Sequence, residues 1–359
     1  MLAELAALVA TEAIDLVVVT GDLFDTAAPS PDAQRLAWDT LLTCRSNAAQ
    51  VIVIAGNHDS PDAFDAVRPV FEAAGVTMIG RTRRPAEGGV LEFIVNDEPV
   101  VVATLPFVSQ RGVVKAAELM EISGADARGK YQDRIHQIIE QLTQNFRSDA
   151  INLLISHLTV TGGQFGGGER EAHSIFDYHV AAQVFPTSAS YVALGHLHRA
   201  QKVPAPCPVW YSGSPIAVDF GEGANTPGVL IVDVAPGKPA KVEHRPLKSA
   251  KTLVTLTGTL AQLSEQQPPV ASLVRVVVTD LWRAGIADDV RALFPDVLEI
   301  RVARPDATTS TRAARLSSSV SPSELFDRYL AEHDIEDPRL GELFSVVLDE
   351  VTNSFESSS

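Results

Sequence analysis

The sequence predicts an α/β protein built in layers, carrying a small α+β domain and a C-terminal helix pair. Short runs of β-branched residues alternate with helical segments, several of these runs end in ligand-type side chains after a glycine or short polar step, and the pattern restarts near residue 250. At 359 residues the chain is long enough for one large domain with smaller additions.

Leu2, Leu5, Leu8 and Val9 have helical spacing from the first residue, with no capping residue before them. Ile14 to Thr20 predicts a buried strand that ends in Gly21-Asp22-Leu23-Phe24-Asp25. Ser30-Pro31 supplies an N-cap and a first helical residue for a helix to about Cys44. Val51 to Ile54 is a second strand, and Gly56 turns the chain so that Asn57, His58 and Asp59 are presented before Ser60-Pro61 opens the helix over 61–74. Residues 14–55 thus form a βαβ unit with parallel strands and a right-handed crossover, which puts Asp22 and Asn57 on one edge of the sheet.

Val76 to Ile79, Val90 to Ile94 and Val100 to Leu105 predict strands of a second sheet or an extension of the first. Arg81, Arg83 and Arg84, in a loop between them, read either as a solvated turn or as a phosphate contact. An amphipathic helix runs from about Asp126 to Phe146 with Ile135, Ile138, Ile139 and Leu142 on one face and His136 off it. Ile151 to Ile155 predicts a strand ending in Ser156-His157, and Tyr191 to Leu194 one ending in Gly195-His196-Leu197-His198. The glycine-rich stretch 162–168 is a loop, not a phosphate cradle, because no Lys-Ser/Thr follows it. Trp210 to Gly213, Val229 to Val234 and Val242 to Leu247 complete the sheet region.

The first domain is therefore expected over 1–250, and a strand–helix–strand–helix–strand unit without His or Cys over 251–305. Residues 306–320 are rich in Ser, Thr, Ala and Arg and read as a linker. Residues 321–353 hold a capping box, Ser321-Pro322-Ser323-Glu324, and two helices, the second with Leu340, Leu343, Phe344, Val347 and Leu348 on one side. A pair this short cannot bury its own apolar faces and is expected to dock on a partner.

A net charge of −16 argues against the chain alone coating nucleic acid, so any such contact is local or helped. Cys44 and Cys207 have neither disulfide-framework nor metal spacing, which fits a reducing cytoplasm. With no run of transmembrane length and no signal peptide, a soluble cytoplasmic protein with no membrane partner is expected.

Asp22, Asn57, His157, His196 and His198 all fall at the carboxyl ends of apolar strands, where open α/β sheets bind ligands. One histidine in such a place is more often a packing residue; the joint pattern points to a metal centre. Carboxylate, amide oxygen and imidazoles together suit Mn²⁺ or Fe²⁺, leave Zn²⁺ open, and disfavour an all-oxygen Mg²⁺ or Ca²⁺ cage. Asp22 can bridge two ions, and two ions about 3.5–4 Å apart bind both non-bridging oxygens of a phosphodiester and acidify a shared water. His58 is then free to protonate the leaving oxygen, with Asp25 or Asp59 fixing its ring, although Asp59 also reads as a helix cap.

The set Gly21-Asp22-Leu23-Phe24-Asp25, Gly56-Asn57-His58-Asp59-Ser60, Ser156-His157 and Gly195-His196-Leu197-His198, in this order, resembles the calcineurin-like metallophosphoesterase family. Gly213-Ser214-Pro215, the small domain and the Ser-Pro-Ser-Glu-Leu-Phe helix pair narrow the resemblance to nuclease subunits of bacterial ATPase–nuclease complexes. The resemblance implies a β-sandwich flanked by helices, with the unit over 251–305 as a capping domain. It also implies Asp22 bridging two Mn²⁺, Asn57, His157 and His196 completing one site, His198 in the other, and His58 as the acid. It further implies exonuclease and endonuclease action on DNA ends and hairpins in repair, recombination and replication. By it the terminal helices dock on the coiled-coil base of an ATPase partner that supplies most of the DNA grip, in a heterotetramer of two subunits of each kind.

One departure stands out: the family begins with a strand ending in Asp-X-His, and no such motif precedes Asp22. The expectation is that the chain starts at an internal Met, and that the site keeping only Asp22 and His198 binds its ion weakly. Two rival functions stay open. A stand-alone phosphodiesterase for small nucleotides or lipids has no use for the small domain and helix pair, and a non-catalytic scaffold predicts erosion of Asn57 and His58, which are present.

Overall fold

The computed structural model describes residues 1–48, 50–120, 131–167, 169 and 178–303, with 326, 329–331, 337, 339–341, 343 and 344. The chain opens as α1 (Leu2–Thr11), β1 (Leu16–Val19), α2 (Pro31–Asn47), β2 (Gln50–Ile54), α3 (Pro61–Ala73) and β3 (Val76–Ile79). The Ser30 and Ser60 hydroxyls accept from the backbone N–H of Ala33 and Ala63, each at 3.2 Å, with proline next in the chain, so α2 and α3 start where the caps predict. Helix α1 starts at Leu2 without a side-chain cap. The three strands pair in parallel in the order β1-β2-β3, so Val76–Ile79 extends the first sheet.

There follow β4 (Val90–Val95), β5 (Glu98–Leu105), α4 (Gln110–Leu119), α5 (Tyr131–Thr143), β6 (Ile151–His157), β7 (Thr159–Val160), β8 (His179–Val180), β9 (Tyr191–Gly195), β10 (Gln201–Val203) and β11 (Val209–Tyr211). Six of these strands make a second sheet in the order β10-β11-β9-β6-β5-β4, parallel through β11, β9, β6 and β5, while β7 and β8 pair separately. The helix expected over 126–146 is described from Tyr131, with Ile135, Ile138, Ile139 and Leu142 fully buried and 126–130 outside the described residues. Neither α4, capped by Ser109 on the Gly112 N–H, nor the short β10 is anticipated by the sequence pattern.

Strand alternation builds the layers. On β2, Val51 and Val53 face a core shared with the helices, whereas Ile52 and Ile54 face Val100, Val102, Ile151, Leu153 and Ile155 of the second sheet. On its far side the second sheet, through Ala103, Leu105, Leu154, Val192 and Leu194, packs against Val113 of α4 and Ile135, Ile138, Ile139 and Leu142 of α5. The result is two face-to-face sheets with helices outside, the layered sandwich flanked by helices. Burial of each such aliphatic side chain contributes about 1.5–3 kcal/mol.

Two of the late strands do not join the large sheet. β12 (Gly228–Asp233) and β13 (Lys241–Pro246) form an antiparallel pair whose Val232 and Val242 pack against the inter-sheet core. Beyond it β14 (Leu253–Gly258), α6 (Leu260–Ser264), β15 (Leu273–Val278), α7 (Ile286–Leu293) and β16 (Val297–Val302) make a three-stranded parallel sheet under two helices. Leu263, Val274, Val276, Val278, Ile286, Val290 and Phe294 give this unit its own core. It meets the larger body at a short 3₁₀ turn, Phe220–Glu222, where the Arg275 guanidinium lies 4.7 Å from the centre of the Phe220 ring. The linker expected over 306–320 lies outside the described residues, as does most of the helix pair; within the pair, Phe326 stacks on Phe344 with ring centres 4.1 Å apart.

Candidate metal centre

Four loop segments meet where the two sheets come together. Asp22 follows β1, Asn57 follows β2, His157 ends β6 and His196 follows β9. Three glycines let these ends touch. A Cβ on Gly56 would lie 2.1 Å from Asp22 Oδ1, and one on Gly195 would lie 1.9 Å from the Thr20 carbonyl oxygen. A Cβ on Gly21, which sits at φ +98°, would lie 2.3 Å from His157 Nδ1. Asp22 and His196 themselves have φ of +52° and +95°, in the left-handed region, at a cost of about 1–3 kcal/mol each.

His157 is fully buried, and its Nδ1 lies 2.7 Å from the Thr20 carbonyl oxygen. A carbonyl only accepts, so Nδ1 carries the proton, and whenever the ring is neutral its Nε2 lone pair turns the other way. That lone pair meets Asn57 Oδ1 at 2.9 Å and Asp22 Oδ2 at 3.3 Å, and His196 Nδ1 also reaches Asn57 Oδ1 at 2.9 Å. The donor atoms of Asp22, His157 and His196 all lie within 4.8 Å of one another. Electron-rich atoms converge on one point, an arrangement that only a proton or a cation satisfies. The titration directions say the same: burial lowers the His157 pKa, yet the Asp22 carboxylate beside it raises it overall. Burial likewise opposes the Asp22 charge, but the His157 ring and the His58 N–H hold its carboxyl below the usual range. Carboxylate, amide oxygen and two imidazoles, one of them oriented from behind by a carbonyl, are a donor set that fits a divalent ion.

The remaining predicted residues lie around this cluster. His198 is not one of the three convergent residues; its Nδ1 bonds Glu222 Oε1 at 2.6 Å, and its N–H donates to Glu169 Oε1 at 2.9 Å. His58 Nδ1 lies 2.7 Å from the backbone carbonyl of Asp25, whose carboxylate is exposed and 3.7 Å away. The ring is therefore fixed by Asp25, but through its main chain. Asp59 neither fixes that ring nor caps α3, a task Ser60 performs. Its buried carboxylate accepts from Leu23, Phe24 and Gly56 N–H at 3.2, 3.0 and 2.8 Å, tying the two strand-end loops together. Burial pushes its pKa up to about 6 against those three bonds.

Arg81 pairs with Asp62 and Asp65, Arg83 with Asp65 at 3.3 Å, and Arg84 Nε donates to the Leu119 carbonyl at 2.6 Å, so this cluster is engaged within the chain. His136 lies off the buried face of its helix, 3.5 Å from Glu140. The sequence reading missed Glu222 and Glu169. Neither follows an apolar strand, so a search of strand ends passes over them, and only the flanking Gly221 and Gly223 mark Glu222 as sitting in a tight turn.

Residues 1–200 match the calcineurin-like phosphoesterase family. The D component of nuclease SbcCD from Bacillus subtilis is 36% identical over 262 residues, 71% of this chain and 65% of the relative. Its namesake from Rhodobacter capsulatus is 30% identical over 79% of this chain and 71% of the relative. The Escherichia coli namesake is 26% identical over 97% of this chain and 91% of its own length. The aligned stretch thus spans just under two thirds of the Bacillus relative. Among the described residues no helix is long and apolar enough to cross a membrane.

Proposed function

The chain belongs to the calcineurin-like phosphoesterase family, with relatives among the D components of SbcCD nucleases, and on that premise we propose that it is a divalent-metal-dependent phosphodiesterase acting on DNA. Its substrates on this reading are DNA ends and hairpins, and its partner is the SbcC ATPase, in a heterotetramer of two SbcC and two nuclease subunits. The observation that carries the reading is the convergence of Asp22, Asn57, His157 and His196 from the ends of four separate strands on one point.

Asp22, Asn57, His157 and His196 would hold one ion, and Asp22 with His198 would face a second, with Mn²⁺ favoured by the mixed oxygen and nitrogen donors. An ion so held supplies Lewis acidity, neutralising phosphate charge and lowering the pKa of water to near neutrality. The chain's own residues do the rest. Thr20 fixes the His157 tautomer through its carbonyl, and Asp59 holds the Asp22 and Asn57 loops in register through three main-chain bonds. His58, its Nδ1–H directed at the Asp25 carbonyl, has Nε2 left to carry a proton to the departing oxygen. No Ser or Cys nucleophile is required. With a net charge of −16 the chain is poorly suited to gripping DNA by itself, which supports a partner that does.

The test is a Mn²⁺ titration of the purified chain with linear duplex and hairpin DNA, with and without SbcC, beside a small aryl phosphodiester. Metal-dependent DNA cleavage that His196→Ala abolishes is expected. Hydrolysis of the aryl ester alone, unaltered DNA and no gain from SbcC would favour the small-substrate phosphodiesterase instead.

A further inference from the structure

The cluster of Asp22, Asn57, His157 and His196 leaves a buried acid beside it unexplained. Glu222 is only 1% exposed, and no lysine or arginine pairs with it among the described residues. Its two carboxylate oxygens are both used: Oε1 faces His198 Nδ1 at 2.6 Å, and Oε2 accepts the Val218 N–H at 3.1 Å. The turn that carries it is tightly bound. Asp219 Oδ1 accepts the Gly221 N–H at 2.6 Å, the Glu222 N–H reaches the Asp219 carbonyl at 3.0 Å, and the Glu222 carbonyl accepts from Asn225 at 2.7 Å. Glu169 Oε1 accepts the His198 backbone N–H at 2.9 Å.

We propose that Glu222 is the positioning residue for His198, holding that imidazole in the Nδ1–H tautomer so that its Nε2 lone pair is available to a divalent ion. The assignment rests on the metal-centre reading, since it takes His198 as a ligand. The chemistry is that of a carboxylate behind a metal-binding histidine: it fixes the tautomer, fixes the ring and raises the basicity of the opposite nitrogen. His157 has the same arrangement with a neutral carbonyl, that of Thr20, in the carboxylate's place. The two histidines differ in the charge behind them.

Glu222→Gln is the informative variant. The side chain keeps its shape, but both contacts of Glu222 call for an acceptor and glutamine offers one oxygen. It must lose either the Val218 N–H or the His198 Nδ1–H, and presenting its NH₂ to Nδ1 would drive His198 into the tautomer that points a proton at the ion. Two measurements on the intact chain test this, neither depending on turnover. Long-range ¹⁵N–¹H NMR of the metal-free, histidine-labelled protein reports the His198 tautomer, and Mn²⁺ paramagnetic resonance reports the ions bound and their affinity. Recorded at a pH high enough to leave the ring neutral, the wild type is expected in the Nδ1–H form, and Glu222→Gln and Glu222→Ala are expected to depopulate it. Both should weaken the Mn²⁺ bound through His198 by about 10- to 100-fold while sparing the ion that His157→Ala removes.

A merely structural Glu222 would lower the melting temperature without changing the tautomer. In the double variant with His198→Ala, loss of Glu222 should cost no further Mn²⁺ affinity, because its effect runs through that ring. An unchanged tautomer and unchanged Mn²⁺ binding in Glu222→Gln overturn the assignment alone. A wild type that binds no Mn²⁺ overturns the metal-centre reading and the assignment with it.

Discussion

The His157 imidazole has no freedom to turn. Thr20 holds one nitrogen, Asn57 and Asp22 face the other, and Gly21 and Gly195 sit where a Cβ would meet the ring. Replacing Gly195 by Ala would push a methyl group into the Thr20 carbonyl and to 2.9 Å from His157 Nδ1. Destabilisation by about 1–3 kcal/mol in a urea titration is expected, with weakened Mn²⁺ binding alongside. His58→Ala should behave differently. Its backbone N–H, not its ring, contacts Asp22, so turnover on DNA should fall by about 10²- to 10⁴-fold while the Mn²⁺ content stays that of the wild type. Metal loss in that variant would make His58 a ligand. At this level the residue types at the strand ends were legible, because glycine before a polar side chain is a strong local signal. The partners of Asp59 were not legible, since one carboxylate in a turn serves equally well as cap, ring support or loop tie, and only the three-dimensional path of the chain selects among them.

Capped helices and apolar strands were the most readable elements, and for a physical reason. Ser30-Pro31 and Ser60-Pro61 are local signals that need no tertiary context, and the small unit over 253–302 follows its predicted strand and helix order throughout. What escaped is long-range. Nothing local tells Val76–Ile79 to join β2, or tells β12 and β13 to leave the large sheet, because strand partners are chosen across the fold. Helix α1 shows how such contacts carry pH dependence. Glu4 accepts the Ser249 hydroxyl, and its carboxylate also takes the Ser249 and Lys248 N–H groups at 2.9 Å; these bonds, the hydroxyl first, pull its pKa down from 4.5 to about 2. A folded pKa below the unfolded one gives stabilisation that is complete above the unfolded value and is lost as pH falls toward the folded one. Glu4→Gln should therefore melt below the wild type at neutral pH, and the gap should narrow as pH falls from about 4.5 toward about 2. A gap independent of pH would show that charge is not what holds α1 to residues 248 and 249.

Across the molecule, the proposed function would place chemistry and assembly in different parts of the chain. The metal-centre residues lie between 20 and 222, whereas the helix pair expected to meet SbcC begins at 321. Deleting 321–352 is expected to abolish co-purification with SbcC yet spare hydrolysis of a small aryl phosphodiester, and unimpaired complex formation would place the contact elsewhere. The location of the centre has a second consequence. Asp22 and Asn57 belong to the sheet of three strands, His157 and His196 to the sheet of six, and their side chains meet across the seam. An ion held by all four would be a rivet between two layers otherwise joined by apolar packing and a few hydrogen bonds, the His157–Thr20 bond among them. Such a rivet tightens slow opening of the sandwich rather than fast local motion, so deuterium uptake at β1, the half-buried strand at the edge of its sheet, should slow when Mn²⁺ is added and quicken when a chelator removes it. The small unit over 253–302, with a core of its own, should take up deuterium at the same rate in either state, which makes it the internal clock against which the seam is timed.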